Sequence, residues 1–331
     1  KFLISNKINL NYMKIKKTAI IFGISGQDGA YLSHFLLKKG YKVFGTTRNN
    51  SSDNLYRLKR LKIEGSITLY KGEATDLNFC KKILNSKISE IYYLAGDSSV
   101  VGSFTNPISS LKSNALGLLN ILEIIKNKNL KTKLFNAGSG QFYGDNKNNK
   151  YNLNSKINPQ SPYGISKATG YWLVKVFREN YDIFCCTGIL FNHESSLRSD
   201  EFVTKKIINI SKKIKKNNRL QLTLGNINIY RDWGWAPEYV EGFWLMLQQK
   251  SPSDLILGTG KVHSVKEFVN EVFKLLNIKK KHLNTNVKDF KRKLNIRGYK
   301  ADISENKKKI KWQPKTNFKK IIYKMVNDEL F

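Results

Sequence analysis

Residues 18–22 read TAIIF, and the chain then runs straight into GISGQDGAYLSHFLLKKG. Five apolar or β-branched residues at that point are a buried parallel strand. Gly23, Gly26 and Gly29 follow as G-x-x-G-x-x-G at the point where a helix must begin. Glycine there permits the tight turn and lets backbone N–H groups approach a pyrophosphate at the helix N-terminus. The triplet is weak evidence alone, but here it lies between a strand and a helix, which is the context that dinucleotide binding requires. Ala30–Lys39 carries apolar residues at helical spacing and stops at Gly40, a C-cap.

The same beat repeats along the chain. YKVFGTT (41–47), ITLYKG, EIYYLAG (90–96), KLFNAGS (133–139) and FCCTGILF (184–191) are strands, separated by helical segments such as LKSNALGLLNILEIIKN and GISKATGYWLVKVFREN. Strands alternating with helices predict an α/β fold, a doubly wound parallel Rossmann-type sheet with a smaller, interleaved C-terminal substrate domain. The expected boundaries are 17–191 plus about 232–258 for the nucleotide-binding domain. The substrate domain takes 192–231 plus about 259–331. Residues 1–16 are read as a leader, with KFLISNKINLNY as translated upstream sequence or a tag remnant and the native start at Met13. No internal repeat is present.

Composition matters at three points. With 331 residues, 40% apolar, the chain is long enough for a large core. A net charge of +33 raises the question of nucleic acid, but the lysines are spread along the chain and are not interleaved with stacking aromatics. The expectation is a solvated surface whose field attracts an anionic substrate, with no nucleic-acid partner. Cys80, Cys185 and Cys186 have no metal-ligand spacing and are read as reduced thiols. A cytoplasmic protein with no metal site is therefore expected. No apolar run is read as long enough to span a membrane, so no membrane association is expected.

The end of the second strand selects the dinucleotide. A carboxylate there would bind a ribose diol. The chain instead has Thr46-Thr47-Arg48-Asn49, and a guanidinium suits a 2′-phosphate. NADP is the expected cofactor, with NAD as the alternative. Tyr163 and Lys167 stand as Y-x-x-x-K, one turn apart on a helix face. A lysine ammonium beside a phenol favours the phenolate, which can take the proton of an alcohol while hydride leaves for the nicotinamide. Ser139, at the end of the strand before, is placed to hydrogen-bond the reacting hydroxyl. A redox sensor or RNA-binding protein on this fold would need only the cofactor site, and a dead paralogue would be expected to lose Lys167 or Ser139. The chain keeps both.

These residues, with LAGDS (94–98), SPYGISKATGYW (161–172), GILFNHESSLR (188–198), FVTKKI (202–207), LGNINIYRDWGWAPEYVEGFWLMLQ (224–248) and VHSVKEFV (262–269), carry a resemblance. From about residue 17 to the C-terminus the chain resembles the extended short-chain dehydrogenase/reductases, and among them the GDP-mannose 4,6-dehydratase family. The resemblance implies a GDP-sugar substrate that is oxidised at C4, loses water across C5–C6 and regains the hydride at C6. It implies that Ser25, Gln27, Asp28, Asp76, Leu94, Ala95, Gly96, His193 and Arg198 line the cofactor. It also implies that Ser98, Asn192, Lys206, Arg231 and Arg292 face the GDP-sugar. A homodimer or homotetramer is implied too, with the loop RNNSSDN near a subunit contact, although one of the family's paired arginines is Asn49 here.

One position departs from that pattern. Two residues beyond the strand-end hydroxyl the family has a glutamate, which takes the C5 proton; this chain has Gln141. An amide has nearly the same shape and is no base. Three readings follow: a dehydratase disabled by a Glu→Gln change, a dehydratase using a substitute base, or an enzyme that stops at the 4-keto sugar as a C4 dehydrogenase, epimerase or reductase. Gly140, Lys293 after Arg292 and a shortened segment near 270–290 also depart from the family. They point to natural divergence and leave the sugar, a hexose or a heptose, open.

Overall fold

The structure is a computed structural model and describes residues 17–49, 51–145, 150–285 and 300–331. The leader read at 1–16 and the proposed sugar contact Arg292 lie outside these residues.

Among the described residues, seven strands form one parallel sheet: β1 (Thr18–Phe22), β2 (Lys42–Thr47), β3 (Thr68–Lys71), β4 (Glu90–Tyr93), β5 (Lys133–Ser139), β6 (Cys185–Leu190) and β7 (Leu255–Leu257). Their spatial order is β7-β6-β5-β4-β1-β2-β3. The order reverses between β1 and β4, and in open parallel sheets ligands bind in the crevice at such a switch point. The apolar run that opens the sequence has the burial its composition predicts. Ile20, Ile21 and Phe22 are fully buried, and each such side chain contributes about 1.5–3 kcal/mol.

Helices α1 (Gln27–Lys38) and α2 (Gly117–Asn127) cover the two faces of the sheet; α3 (Pro162–Tyr181), α4 (Val203–Lys216), α5 (Ala236–Leu247), α6 (Val265–Leu276) and α7 (Phe318–Val326) follow. After α1 the chain reverses through Gly40 at φ +80°, where the Tyr41 N–H donates to the Leu36 carbonyl. A separate cluster forms the smaller lobe: Ile207 and Ile208 of α4, Phe268 and Val269 of α6, and Ile321 and Ile322 of α7.

Two boundaries differ from the sequence reading. Trp233 and Trp235 pack into the small-lobe cluster, because their strand Trp233–Trp235 pairs in parallel with Asn192–Glu194 at the edge of that lobe. Ile310 and Trp312 pack into the core of the large sheet, where the Trp312 indole donates to the Glu238 carbonyl. The reading of apolar runs is corrected at one point. One unbroken helix, Pro107–Asn127, is long and apolar enough to cross a membrane by length and composition. Its neutral serines and asparagines hide its length in a reading by apolar runs, and half of its most apolar window is buried against the fold.

Candidate active site

The strand ends at the switch point open into a cleft of about 650 Å³ between the sheet and the small lobe. At its floor, Gly23 adopts φ +85° and lies so close to the chain leaving β4 that a Cβ would sit 2.8 Å from the Ala95 nitrogen. A Cβ on Gly29 would sit 2.7 Å from Ile24 Cα. Both glycines are therefore required by packing, and together they bring the N-terminus of α1 to the crevice. This cradle fits a dinucleotide pyrophosphate.

The first turn of α1 is tied to the chain beyond β6. Gln27 donates to the Asp28 carboxylate at 3.1 Å and to the His193 carbonyl at 3.2 Å, and accepts from Ser195 Oγ at 2.8 Å. His193 Nδ1 lies 2.8 Å from the Phe191 carbonyl, which can only accept, and Nε2 lies 2.8 Å from Asp28 Oδ2. Burial opposes the charge on each partner. The pair attraction and these hydrogen bonds outweigh it, raising the His193 pKa and lowering that of Asp28. Asp28 and His193 thus form a hydrogen-bonded carboxylate–imidazole pair, with the ring stacked on Tyr239 at 4.5 Å.

Arg198 is presented from behind by Glu194, at 3.3 Å from its Nε, and its guanidinium lies 3.5 Å above the Phe202 ring. The sequence reading missed this support, and missed Arg57, which braces the glycine turn by donating to the carbonyls of Ser25 at 3.1 Å and Leu197 at 2.8 Å. An arginine between the second and third strands carries no sign of such a role.

Ser161 caps α3 by accepting from the Gly164 N–H at 3.0 Å, so the helix begins with Tyr163 in its first turn. One turn on, Lys167 Nζ donates to the Ala137 carbonyl at 2.8 Å and lies 5.9 Å from the Tyr163 ring centre. Burial lowers the Lys167 pKa to about 8, against the opposing attraction of Asp28 and Asp97. Ser139 Oγ accepts from the Gln141 N–H at 3.2 Å, which leaves its own hydrogen for another acceptor. Gly140 is small because a Cβ there would meet the Phe191 ring at 3.0 Å.

The cleft lining brings together Asp28, Leu94, Gly96, Ser98, Ser139, Gln141, Tyr163, Lys167, Asn192, His193, Arg198, Lys206 and Arg231. The pairing of Asn192–Glu194 with Trp233–Trp235, next to Arg231, explains how two distant motifs meet. Gly23, Ser25, Gly26, Gln27, Gly29 and Ala95 shape the floor without lining the cleft. Two predicted cofactor residues stand apart from it. Arg48 is exposed at the end of β2, and Asp76 caps the helix Leu77–Ile83 by accepting from the Phe79 N–H at 3.0 Å. The sequence reading skipped Asp97, a lining carboxylate between two residues that it did name. Among the described residues no cluster of three or more His, Cys, Asp or Glu could hold a metal.

Comparison with known proteins gives this geometry a family. The chain is 36% identical to GDP-mannose 4,6 dehydratase 1 of Arabidopsis thaliana over 96% of its own length and 91% of that protein. It is 36% identical to GDP-mannose 4,6 dehydratase of Homo sapiens over 96% and 92%. In fold it is similar to a dTDP-glucose 4,6-dehydratase from Streptomyces venezuelae with NAD and TYD bound, at a TM-score of 0.83, 16% identity, and coverage of 94% and 96%. A UDP-glucose 4-epimerase from Thermus thermophilus in complex with NAD matches at 0.82, with 18% identity and coverage of 94% and 98%. With the family model described as GDP-mannose 4,6 dehydratase matching residues 20–325, the chain belongs to the GDP-mannose 4,6-dehydratase family.

Proposed function

We propose that the protein is an NADP-dependent GDP-mannose 4,6-dehydratase. The observation that carries this is the convergence in one cleft of Tyr163, Lys167 and Ser139 with the glycine turn and three cations, Arg198, Lys206 and Arg231. When bound, the nicotinamide supplies a hydride acceptor for C4 and a hydride donor for C6. The chain's own residues do the rest. Tyr163 takes the proton of the C4 hydroxyl, and the Lys167 ammonium keeps the phenolate accessible. Ser139 spends its hydroxyl hydrogen on O4. Lys206 and Arg231 neutralise the diphosphate, and Arg292 is a further partner for it. Arg198, steadied by Glu194 and Phe202, and the Asp28–His193 pair flank the cofactor.

NADP over NAD is supported by Arg48 at the end of β2 and by the absence of a carboxylate from Thr46 to Ser52. An oligomer is supported by an apolar face on adjacent helices: Val101, Phe104 and Ile108 line up with Ile165, Trp172 and Val176 of α3, each about half exposed or more. A homodimer through this face, in the cytoplasm, is the proposed state. Buried free thiols at Cys80, Cys185 and Cys186 agree with a reducing compartment.

Gln141 favours a second reading, in which the protein oxidises a GDP-sugar at C4 and acts as a dehydrogenase, epimerase or reductase without elimination. Incubation with GDP-mannose and NADP in deuterated water, followed by NMR and mass spectrometry, separates the two. A 4-keto-6-deoxy product with deuterium at C5 is expected. A 4-keto or 4-epimeric product that keeps its C6 hydroxyl would replace the first reading with the second.

A further inference from the structure

The proposed elimination removes a proton from C5, next to the C4 ketone, and an amide cannot take it. Four carboxylates line the cleft among the described residues: Asp28, Asp97, Glu194 and Glu201. Asp28 is committed to the His193 ring at 2.8 Å. Glu194 is 2% exposed and takes the Thr204 hydroxyl at 2.6 Å as well as Arg198. Glu201 is solvent-exposed at the rim. Asp97 differs from all three. One of its oxygens, Oδ2, accepts from Ser109 Oγ at 3.0 Å, and no hydrogen bond to the other is formed among the described residues.

The setting of Asp97 is built. Gly96 turns the chain at φ +136°, so close to Asn114 that a side chain at 96 would collide with the Asn114 amide. A widened, π-type turn at Lys112–Leu116 then delivers two side chains to the Asp97 backbone. Ser113 Oγ accepts from its N–H at 3.2 Å, and Asn114 Nδ2 donates to its carbonyl at 3.2 Å. Such turns inside helices often mark functional sites. Asp97 lines the same cleft as Ser139, Gln141 and Tyr163, and the strands that lead to Asp97 and Ser139 are neighbours. Tyr93 of β4 pairs with Asn136 of β5, from which the chains run four residues on to Asp97 and three on to Ser139. Its charge is felt at Lys167, where it helps to hold the ammonium protonated.

Resting on the proposed C4 oxidation, we infer that Asp97 is the base that takes the C5 proton in place of residue 141. The C5–H bond breaks and an O–H bond forms on the Asp97 carboxylate. The electron pair moves into an enolate across C4 and C5, with its oxygen held by Ser139 and Tyr163. Collapse of the enolate expels the C6 hydroxyl, which takes the proton from Asp97 and leaves as water. After hydride reaches C6, a solvent proton carried by Asp97 completes C5.

The test follows Asp97→Asn, Asp97→Glu and Asp97→Asn/Gln141→Glu with GDP-mannose and NADP in deuterated water. Reduced cofactor is read by absorbance, C5 deuterium by NMR, and folding by thermal melting. Asn at 97 is expected to keep C4 oxidation, slowed as Lys167 loses a neighbouring negative charge, to accumulate reduced cofactor with an unexchanged 4-keto sugar, and to lower the 6-deoxy product about 10²- to 10⁴-fold. Asp97→Glu should keep measurable exchange, and glutamate at 141 should restore it in the double variant. Wild-type product rates in Asp97→Asn, or loss of C4 oxidation along with elimination in a folded Asp97→Asn, would overturn the assignment. So would a wild-type enzyme that reduces cofactor but never exchanges C5. A wild-type protein that reduces no cofactor with GDP-mannose would instead remove the proposed function, and this inference with it.

Discussion

Replacing Asp232 with asparagine tests how the cleft is tied to the large sheet. Asp232 follows Arg231 and is fully buried. Its Oδ1 accepts from the Thr259 N–H at 2.8 Å and the Thr259 hydroxyl at 2.6 Å, and its Oδ2 accepts from the Gly260 N–H at 2.8 Å and the Ala301 N–H at 3.4 Å. Four donors and no acceptor face it. An asparagine keeps one oxygen and turns its NH₂ against the Gly260 and Ala301 N–H groups. Unpaired buried donors cost about 1–3 kcal/mol each, and the longer Ala301 bond counts for less, so the loss is about 3–6 kcal/mol with the new NH₂ included. Against this stands the relief of a buried charge. Burial raises the Asp232 pKa to about 6 from 3.8, despite those hydrogen bonds, and a shift of that size corresponds to about 3 kcal/mol at neutral pH. The net expectation is a variant destabilised by about 0–3 kcal/mol near pH 7. The pH dependence carries the sign. A folded pKa above the unfolded value means that the folded state holds more protons between the two. This group's contribution is full below 3.8 and is lost as pH rises through about 6. The wild type thus recovers stability on acidification and the asparagine variant does not. The gap between them should widen by about 1 kcal/mol from pH 7 to pH 5. Urea unfolding at both pH values measures it. A variant more stable than wild type at pH 7, or a gap that narrows on acidification, would refute the reasoning.

Lys167 and the apolar helix face give two further tests. Burial lowers the Lys167 pKa from 10.5 to about 8, so the unfolded chain holds the extra proton and the folded state gains stability as pH rises through that window. Lys167→Met should raise the melting temperature of the cofactor-free protein near pH 7, by an amount that vanishes as pH approaches 10.5, while C4 oxidation falls at least about 100-fold. A thermal gain independent of pH would contradict it. Ile108→Lys places a charge at the most exposed point of the apolar face, at 66% exposure. Light scattering should then show a monomer where the wild type is an oligomer; an unchanged mass would exclude that face.

The elements that sequence exposed most clearly are those whose residue types have a single physical use. Gly23 and Gly29 could be read because no other residue fits against Ala95 and Ile24, and β1 because its five residues suit only a buried strand. Tyr163 and Lys167 could be read because a helix turn fixes their spacing. The small lobe was harder. Its cluster is assembled from α4, α6, α7 and the two tryptophans, and such long-range pairing leaves no local periodicity. Trp233 and Trp235 sit just after Arg231 in sequence, yet their strand mate is Asn192–Glu194, so a boundary drawn at 232 cut through the lobe. Trp312 shows the converse error. It lies in a lysine-rich stretch that looks like surface and is held in the core by the Glu238 carbonyl.

Position 141 is where the two levels of reading meet. The resemblance implies a carboxylate base at this position and the chain has an amide, which differs in chemistry even where it matches in shape. Sequence could not show where another carboxylate stands, because Asp97 is more than forty residues away and reaches the cleft only through the parallel register of β4 and β5. The neighbouring Gly96 belongs to the stretch that the resemblance assigns to the cofactor, and the sequence alone does not separate Asp97 from it. The turn at Lys112–Leu116 resolves this. Its widened geometry brings both Ser113 and Asn114 to the Asp97 backbone, while Ser113 Oγ also donates to the Ser109 carbonyl one turn back, so two side chains fix the main chain at Asp97. On the proposed assignment, the amide at 141 on one strand end and the supported carboxylate at 97 on the neighbouring strand end are two sides of one change in the active site.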